Sequence, residues 1–139
     1  MKQFPSRTFF KKPHKPNKSF IFLKEQKSFF PNYGKYAIKS LDFARLTFNQ
    51  IEAGRKSIRR SVKKAGNLYI KVFTYASLTK KPNARMGKGK GAHHIWVCPI
   101  RIGQIIYEIS GLSSKVSLLA LKKASFKLPI RTKIISLIY

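Results

Sequence analysis

The stretch "LTFNQIEAGRKSIRRSVKKAG", residues 46 to 66, carries the strongest structural signal of the chain. Thr47 belongs to the residue types favoured at helix N-caps, and Gln50 follows three residues later, so the two form the pattern of a capping box. Gly66 is a residue type that commonly ends a helix. Three apolar residues fall on one stripe at helical spacing, with two small residues beside them: Ile51, Ile58 and Val62, then Gly54 and Ala65. The stretch predicts an amphipathic helix over residues 47 to 65.

The opposite side of this predicted helix is entirely cationic. Two neighbouring ridges at i, i+4 spacing carry six positive charges: Arg55, Arg59 and Lys63 on one, and Lys56, Arg60 and Lys64 on the other. Like charges at this spacing destabilise an isolated helix, and a solvated face usually mixes both signs. A nucleic-acid backbone would remove the penalty, so the pattern favours a nucleic-acid-binding surface over a face that is merely soluble.

The charge of the whole chain agrees with that interpretation. Its 139 residues contain 30 Lys and Arg against four acids, a net charge of +26 with a pI near 10.7. The acids are Glu25, Asp42, Glu52 and Glu108. Such a balance is typical of nucleic-acid-binding proteins, and an anionic membrane surface is the competing partner. No apolar run approaches the ~20 residues that span a bilayer, which excludes a transmembrane interpretation.

The remaining elements are strands and one more helix. Strands are predicted at residues 33 to 43, 67 to 75, 95 to 98 and 104 to 109, with a final strand or apolar tail at 130 to 139. The sequence "PIRIG", residues 99 to 103, looks like a hairpin turn between the third and fourth of these strands.

A second helix is predicted from Ser113 or Ser114 to about Lys127, ended by Pro129. Its inner side is predicted from apolar spacing as Val116, Leu119, Ala120 and Ala124. Together with the strands, it predicts an α+β fold, a single layered domain of two helices packed on a mixed or antiparallel sheet.

The amino-terminal part predicts a basic extended arm over residues 1 to 32, in front of an α+β domain at 33 to 139. Pro5, Pro13 and Pro16 oppose a helix there, and therefore also oppose a cleavable import presequence, which should be an amphipathic helix. The cations of the arm predicted to contact RNA are Arg7, Lys11, Lys12 and Lys15.

The segment "NARMGKGKGAHH", residues 83 to 94, alternates glycine and lysine between two predicted strands. It has neither the order of a Walker loop nor the helix that follows a dinucleotide fingerprint. Glycine permits close backbone approach, so the segment suits a finger inserted into folded RNA, with Arg85, Lys88 and Lys90 meeting phosphates. A solvated loop with incidental charge is the alternative.

Catalytic and metal sites are poorly supported. Four scattered acids do not assemble into a carboxylate pair for acid-base work or for magnesium. His93, His94 and Cys98 are a possible partial zinc set, but adjacent histidines rarely share one metal and a second cysteine is missing. We expect packing or RNA stacking for the histidines, a buried and inert thiol for Cys98, no cofactor and no enzymatic activity.

Several stretches together resemble one family, the universal large-subunit ribosomal protein L-sixteen family. The resemblance is carried by "YGKYAIKSLDFARLTFNQIEAGRKSIRRSVKKAG", "LYIKVF", "KKPNARMGKGKG", "WVCPIRIGQIIYEISG", "ALKKASFKLPIRTKII" and, in the arm, "PSRTFFKKPHK". Residues 17 to 32 match weakly, and "AHHIWVC" departs from the usual segment after the loop.

The resemblance implies a structural protein that binds large-subunit rRNA near the peptidyl-transferase region and helps to position aminoacyl-site tRNA, while catalysis belongs to the RNA. The loop residues that the resemblance implies for RNA binding, with the two lysines before them, are Lys80, Lys81, Arg85, Met86, Gly87, Lys88, Gly89, Lys90 and Gly91. Neighbouring large-subunit proteins are further implied partners, with no membrane. The alternative is a stand-alone basic DNA- or RNA-binding factor.

The residue usage bears on the compartment. Lys, Ile, Phe, Tyr and Asn are frequent, and these are residues that AT-rich codons supply. We therefore expect an organelle-encoded protein of the mitochondrial ribosome, with a plastid or an AT-rich bacterium as alternatives.

Overall fold

The computed structural model of the chain describes residues 4–6, 8–14, 30–63, 65–83, 86–87 and 89–137. These residues form two helices, α1 (Phe48–Val62) and α2 (Ser114–Ser125). They also form seven strands: β1 (Tyr36–Ser40), β2 (Ala44–Thr47), β3 (Asn67–Ile70), β4 (Ala76–Lys80), β5 (Ala92–Ile100), β6 (Ile105–Ser110) and β7 (Thr132–Ser136).

The strands divide into two sheets. One has four strands in the order β3-β6-β1-β7, and the other has three in the order β2-β5-β4. Every described strand pair is antiparallel. The helices pack against each other, and α2 also packs on β1 and β7. The predicted α+β architecture is confirmed. The strands pair in the antiparallel form, one of the two predicted, but they make two sheets instead of one.

Helix α1 begins as its sequence predicts. The Thr47 backbone N–H donates to Gln50 Oε1 at 2.9 Å, and the Gln50 backbone N–H donates to Thr47 Oγ1 at 3.4 Å, so the capping box is confirmed. The residues buried on its inner side are Ile51, Gly54, Ile58 and Val62. The local sequence signals are sufficient to predict the start and the inner face of α1, because the capping box and the apolar periodicity agree.

The end of α1 differs from the prediction. The helix stops at Val62, because Lys63 adopts a positive φ of 57° and donates its N–H to the Arg59 carbonyl oxygen at 2.8 Å. Ala65 is consequently exposed rather than part of the inner stripe. Gly66, with a φ of 70°, serves the following turn, where a Cβ would lie 2.7 Å from the Ser110 carbonyl oxygen.

Three predicted strand features are wrong for one shared reason, which is that the chain crosses between the sheets. The segment 33 to 43 yields β1 alone, and β2 starts in the other sheet at Ala44. The strand predicted at 67 to 75 ends at Ile70, and the chain then crosses to β4, which the sequence did not predict. The ends of these strands are decided by pairing with strands that are distant in the sequence. A local hydrophobic pattern does not show which strands pair.

The predicted "PIRIG" hairpin is the third case. Strands β5 and β6 flank this turn but lie in different sheets and do not pair with each other. The turn is instead fixed to the end of β1: the Gly103 N–H donates to the Ser40 carbonyl oxygen, and the Ser40 N–H donates to the Gln104 carbonyl oxygen, each at 2.9 Å. Gly103 has a φ of 89°, a conformation that glycine adopts without strain.

The inner face of α2 is also displaced from the prediction. The buried residues are Ser117, Ala120, Leu121 and Ala124, whereas Val116 and Leu119 are exposed. Ser113 is the N-cap, and the helix ends at Ser125, before the predicted Lys127. Because the buried row contains the polar but small Ser117, apolar spacing alone places the stripe one position too early.

Candidate nucleic-acid interface

The cationic face of α1 is largely open to solvent. Lys56, Arg59, Arg60 and Lys63 are exposed. Arg59 Nη1 donates to the Gly66 carbonyl oxygen at 3.4 Å. The exposed cations that the sequence places on this helix therefore form one continuous positive surface over about two turns.

Arg55 differs from the others on this face. Its guanidinium forms two hydrogen bonds with Glu52, Nη2 to Oε1 at 2.6 Å and Nε to Oε2 at 2.8 Å. These bonds hold the pKa of Glu52 below its usual range and raise the pKa of Arg55. Glu52 is thus an ion-pair partner in the second turn of α1, and it neutralises one of the predicted cations.

A cleft of about 630 Å³ lies between α1 and the end of α2. Lys56 and Arg60 line it from α1, while Lys123 and Lys127 line it from the other side. The sequence pattern does not single out Lys123 and Lys127, because only the packing of the two helices brings them beside the α1 cations.

The arm lies along the three-stranded sheet where it is described. Ser77 Oγ donates to the Lys11 carbonyl oxygen at 2.6 Å. The Lys90 ammonium donates to the carbonyl oxygens of Lys12, at 3.2 Å, and Pro13. Lys11 and Lys12 are exposed, so their side chains remain open to a ligand. Lys90, expected to meet phosphate, also ties the arm to the end of the glycine-lysine segment.

The glycine-lysine segment joins β4 to β5. Met86 is 99% exposed, and Gly87 and Gly89 have φ angles of 98° and 79°. A Cβ on either of these two glycines would meet no described atom within 4 Å, so their role is conformational. A Cβ on Gly91 would lie 2.5 Å from the Lys80 carbonyl oxygen, so close packing requires glycine there.

Lys81 stabilises the same segment from within. Its Nζ donates to the Gly87 carbonyl oxygen at 3.0 Å. Predicted residues that fall outside the described part of the chain are Arg7, Lys15, Glu25, Lys64, Arg85 and Lys88.

A second cleft, of about 870 Å³, separates the arm from the three-stranded sheet. Aromatic side chains line it from both sides: Phe9, Phe10, Phe43, Tyr75 and Trp96. Arg45, Lys90 and Arg101 add positive charge to its walls. Aromatic rings interleaved with cations are typical of surfaces that bind single-stranded nucleic acid.

Comparison with known proteins agrees with this surface. The family model described as "Ribosomal protein L16p/L10e" matches residues 5–135. The chain belongs to this family. It is 45% identical over 133 residues to the "Large ribosomal subunit protein uL16c" of Guillardia theta, covering 95% of the chain and 97% of that relative.

Other relatives of this L16p/L10e family member match over a similar length. The uL16c protein of Rhodomonas salina is 45% identical over 133 residues, 95% of each chain. The "Large ribosomal subunit protein uL16" of Maricaulis maris (strain MCS10) is 41% identical over 133 residues, again 95% of each chain. The relatives are therefore ribosomal, and the matches extend over both the sheet region and most of the arm.

The acids of this L16p/L10e chain that the structure describes are all engaged in fixed contacts. Asp42 accepts from the Arg131 guanidinium, with Nη2 2.7 Å from Oδ1, and this contact lowers the pKa of Asp42. Glu52 pairs with Arg55, and Glu108 is fully buried in β6. These carboxylates hold elements together, and each lies on a different part of the fold.

Glu108 fixes the entry to β1. Its Oε2 accepts three backbone N–H groups, from Asn32 at 3.2 Å, Tyr33 at 2.7 Å and Gly34 at 3.2 Å. Lys71 Nζ lies 3.9 Å from the other carboxylate oxygen and 4.4 Å from the centroid of the Tyr33 ring. Charge-assisted bonds of this kind are stronger than neutral ones, so Glu108 sets the direction in which the chain enters the sheet.

The candidate metal ligands take different positions. His93 packs on Trp96 with ring centroids 4.7 Å apart, and its Nδ1 lies 2.6 Å from Ser77 Oγ. Its neighbour His94 is exposed and lies at a register shift between β4 and β5. Within the described ranges, no group of three potential ligands is close enough to hold an ion.

Cys98 is buried, as predicted. Burial raises the pKa of its thiol to about 11, so the reactive thiolate is scarce at neutral pH. The described helices include none that is both long and apolar enough to cross a membrane.

Proposed function

We propose that this chain is a structural component of the large ribosomal subunit that binds large-subunit rRNA through the exposed cationic face of α1. The observation that carries the proposal is the combination of family membership over residues 5–135 with that positive surface. The exposed members of the face are Lys56, Arg59, Arg60 and Lys63. The cations of the arm, Lys11 and Lys12 among them, extend the contact.

Binding proceeds by neutralising phosphate charge. A basic surface displaces counterions from the RNA backbone, which makes the affinity strongly salt-dependent and largely independent of sequence. Folded RNA is then recognised by its shape, because side chains do not reach into the narrow major groove of an A-form helix. The capped helix fixes the spacing of the backbone positions that carry these charges, and we propose that this spacing matches one RNA shape better than others.

The glycine-lysine segment has a separate role in this proposal. It reaches toward the aminoacyl-tRNA site near the peptidyl-transferase region and helps to position the tRNA. Its exposed Met86 and its sterically open Gly87 and Gly89 support a close approach to RNA. The residues assigned to it are those predicted from the sequence, with Arg85, Lys88 and Lys90 as the phosphate contacts. The chain performs no catalysis of its own, and neighbouring large-subunit proteins are further partners.

We propose a compartment from the residue usage of the chain. The relatives include both uL16c and uL16 proteins. The frequent Lys, Ile and Phe residues favour an organelle-encoded gene, and we place the chain in the mitochondrial ribosome. Fractionation of the source cells tests this placement, since recovery in plastid or cytosolic ribosomes would contradict it.

Sucrose-gradient sedimentation of ribosomal subunits tests the main proposal. We expect stable co-migration of the chain with the large subunit, persisting at moderate salt. A chain found only in the free fractions, or bound to DNA instead, would favour the stand-alone nucleic-acid-binding factor. Turnover of ATP or of a nucleic-acid substrate by the purified chain would contradict the structural role.

A further inference from the structure

The cleft between the two helices is lined by four cations, which the packing of two helices does not require. Helix α1 contributes Lys56 and Arg60, while Lys123 of α2 and Lys127 of the turn after it line the other wall. Each pair has i, i+4 spacing, and all four side chains are exposed. Within the residues that the structure describes, none of these four cationic side chains forms an ion pair or a hydrogen bond. The only acid early in α1, Glu52, is bonded to Arg55 instead.

This arrangement has an energetic consequence. Packing α1 against α2 brings two positive pairs to the walls of one cleft, where like charges repel each other. An anion in the cleft would convert that repulsion into attraction. A phosphate group is well suited because it accepts several charge-assisted hydrogen bonds at once.

Two serine residues also line the same cleft. Ser57 and Ser61 are one turn apart on α1 and both line it. Ser61 Oγ donates to the Ser57 carbonyl oxygen at 3.1 Å. The Ser57 hydroxyl forms no hydrogen bond within the part of the chain that the structure describes. Serine hydroxyls commonly contact the sugar-phosphate backbone of nucleic acids, which adds a neutral donor to the four cations.

The rim carries an exposed aromatic ring. Phe126 follows the last residue of α2, lies between Lys123 and Lys127 in the sequence, and is 76% exposed. A phenyl ring left in water forgoes its hydrophobic stabilisation, but its face can stack on a nucleobase. Stacking requires an unstacked base, which single strands, bulges and loops of RNA supply and a regular duplex does not.

We infer that this inter-helix cleft binds the sugar-phosphate backbone of an unpaired RNA segment, with Phe126 stacking on an adjacent base. The inference rests on the proposed rRNA-binding function and names the class of RNA that this part of the surface takes. Lys123, Lys127 and Phe126 thereby join the α1 cations as RNA contacts. An acidic peptide would use the cations but would leave Phe126 and the ribose-facing hydroxyl without a matching group.

The test compares two double variants of the full-length chain with equal charge change. Lys123→Gln with Lys127→Gln removes the two lysines of the cleft, and Lys115→Gln with Lys122→Gln removes two exposed cations of the same region that do not line the cleft. The probe is a short fluorescent oligouridylate, and the readout is affinity by anisotropy across a salt series. Circular dichroism verifies that each variant is folded.

We expect the cleft variant to have a shallower slope of log affinity against log salt, by roughly 0.7 for each single-strand phosphate that is no longer neutralised. The control variant should keep the slope of the unmodified chain. Equal slopes in the two variants would overturn the cleft inference. Sedimentation of the unmodified chain with the large subunit would in that case leave the proposed function standing.

A second variant isolates the stacking interaction. Phe126→Ala should weaken binding of oligouridylate on the order of tenfold, the scale of one base–aromatic stack. It should leave binding of an abasic ribose-phosphate oligomer unchanged, because that probe has no base to stack. Leu119→Ala, which removes an exposed apolar side chain outside the cleft, is the matched control. An equal reduction in affinity for both oligomers, or no reduction for either, would refute the role of Phe126.

Discussion

Gly54 determines how closely α1 lies on the four-stranded sheet, and its replacement by alanine tests the packing on which the cationic face depends. A Cβ at this position would lie 2.5 Å from the Tyr107 hydroxyl oxygen and 3.0 Å from Cζ of the same ring. Tyr107 is fully buried, and its hydroxyl donates to the Ile51 carbonyl oxygen at 2.6 Å. The ring cannot move away without giving up this bond.

Three contributions decide the size of the effect. Alanine in a helix interior is favoured over glycine by about 1 kcal/mol. Overpacking of a buried site costs about 1–3 kcal/mol, and a buried hydroxyl left without a partner costs about 1–3 kcal/mol more. The costs exceed the gain, so we expect Gly54→Ala to lower the free energy of unfolding by roughly 1–5 kcal/mol.

Urea unfolding of the purified chain, followed by circular dichroism, measures this change. A double-mutant cycle with Tyr107→Phe supplies the control, since that substitution removes the hydroxyl that the new methyl group would meet. In the Tyr107→Phe background, Gly54→Ala should cost less, by about 1 kcal/mol or more. A Gly54→Ala variant as stable as the original chain, or more stable, would refute the reasoning.

Three further predictions concern the surface, the glycine-lysine segment and the buried thiol. Arg59→Glu with Arg60→Glu should leave the circular-dichroism spectrum unchanged but reduce incorporation into the large subunit severalfold, measured by sedimentation against a Lys35→Glu with Lys133→Glu control; normal incorporation would count against α1. Shortening of residues 87 to 91 should lower translation in a reconstituted assay more than it lowers the unfolding midpoint, and unchanged translation would contradict the tRNA role. The thiol of Cys98 keeps its proton in the folded chain up to a pKa of about 11, above the ordinary value of 9.0 that applies when the chain unfolds. Its stabilising contribution is therefore complete below pH ~9 and declines as the pH rises toward ~11, so the stability difference between the original chain and Cys98→Ala should shrink over that interval; a difference that is constant with pH would be inconsistent with a buried thiol.

The sequence predicts α1 well because its signals are local. The Thr47 and Gln50 capping box and the spacing of Ile51, Ile58 and Val62 all lie within a few turns, and the structure confirms each of them. Its far end was misplaced because Lys63, not Gly66, takes the positive φ angle at the helix end. Lysine rarely adopts a positive φ angle, so its presence in the sequence does not predict the end of a helix.

The division into two sheets was not predictable in the same way. The pattern of "PIRIG" is that of a hairpin, but the turn is hydrogen-bonded to Ser40 of the distant strand β1, and β5 and β6 lie in different sheets. The cleft between the helices was missed for a related reason. Lys123 and Lys127 are distant in the sequence from the α1 cations, and the polar Ser117 obscures the face of α2 that packs inward.

Identification of the RNA crosslinked to this chain in living cells tests the central claim most directly. Ultraviolet crosslinking, purification of the chain and sequencing of the attached RNA give the partner without assuming it. We predict large-subunit rRNA as the dominant species, with crosslinked peptides from α1 and from the segment between β4 and β5. A population dominated by messenger RNA, or recovery of DNA alone, would contradict the claim.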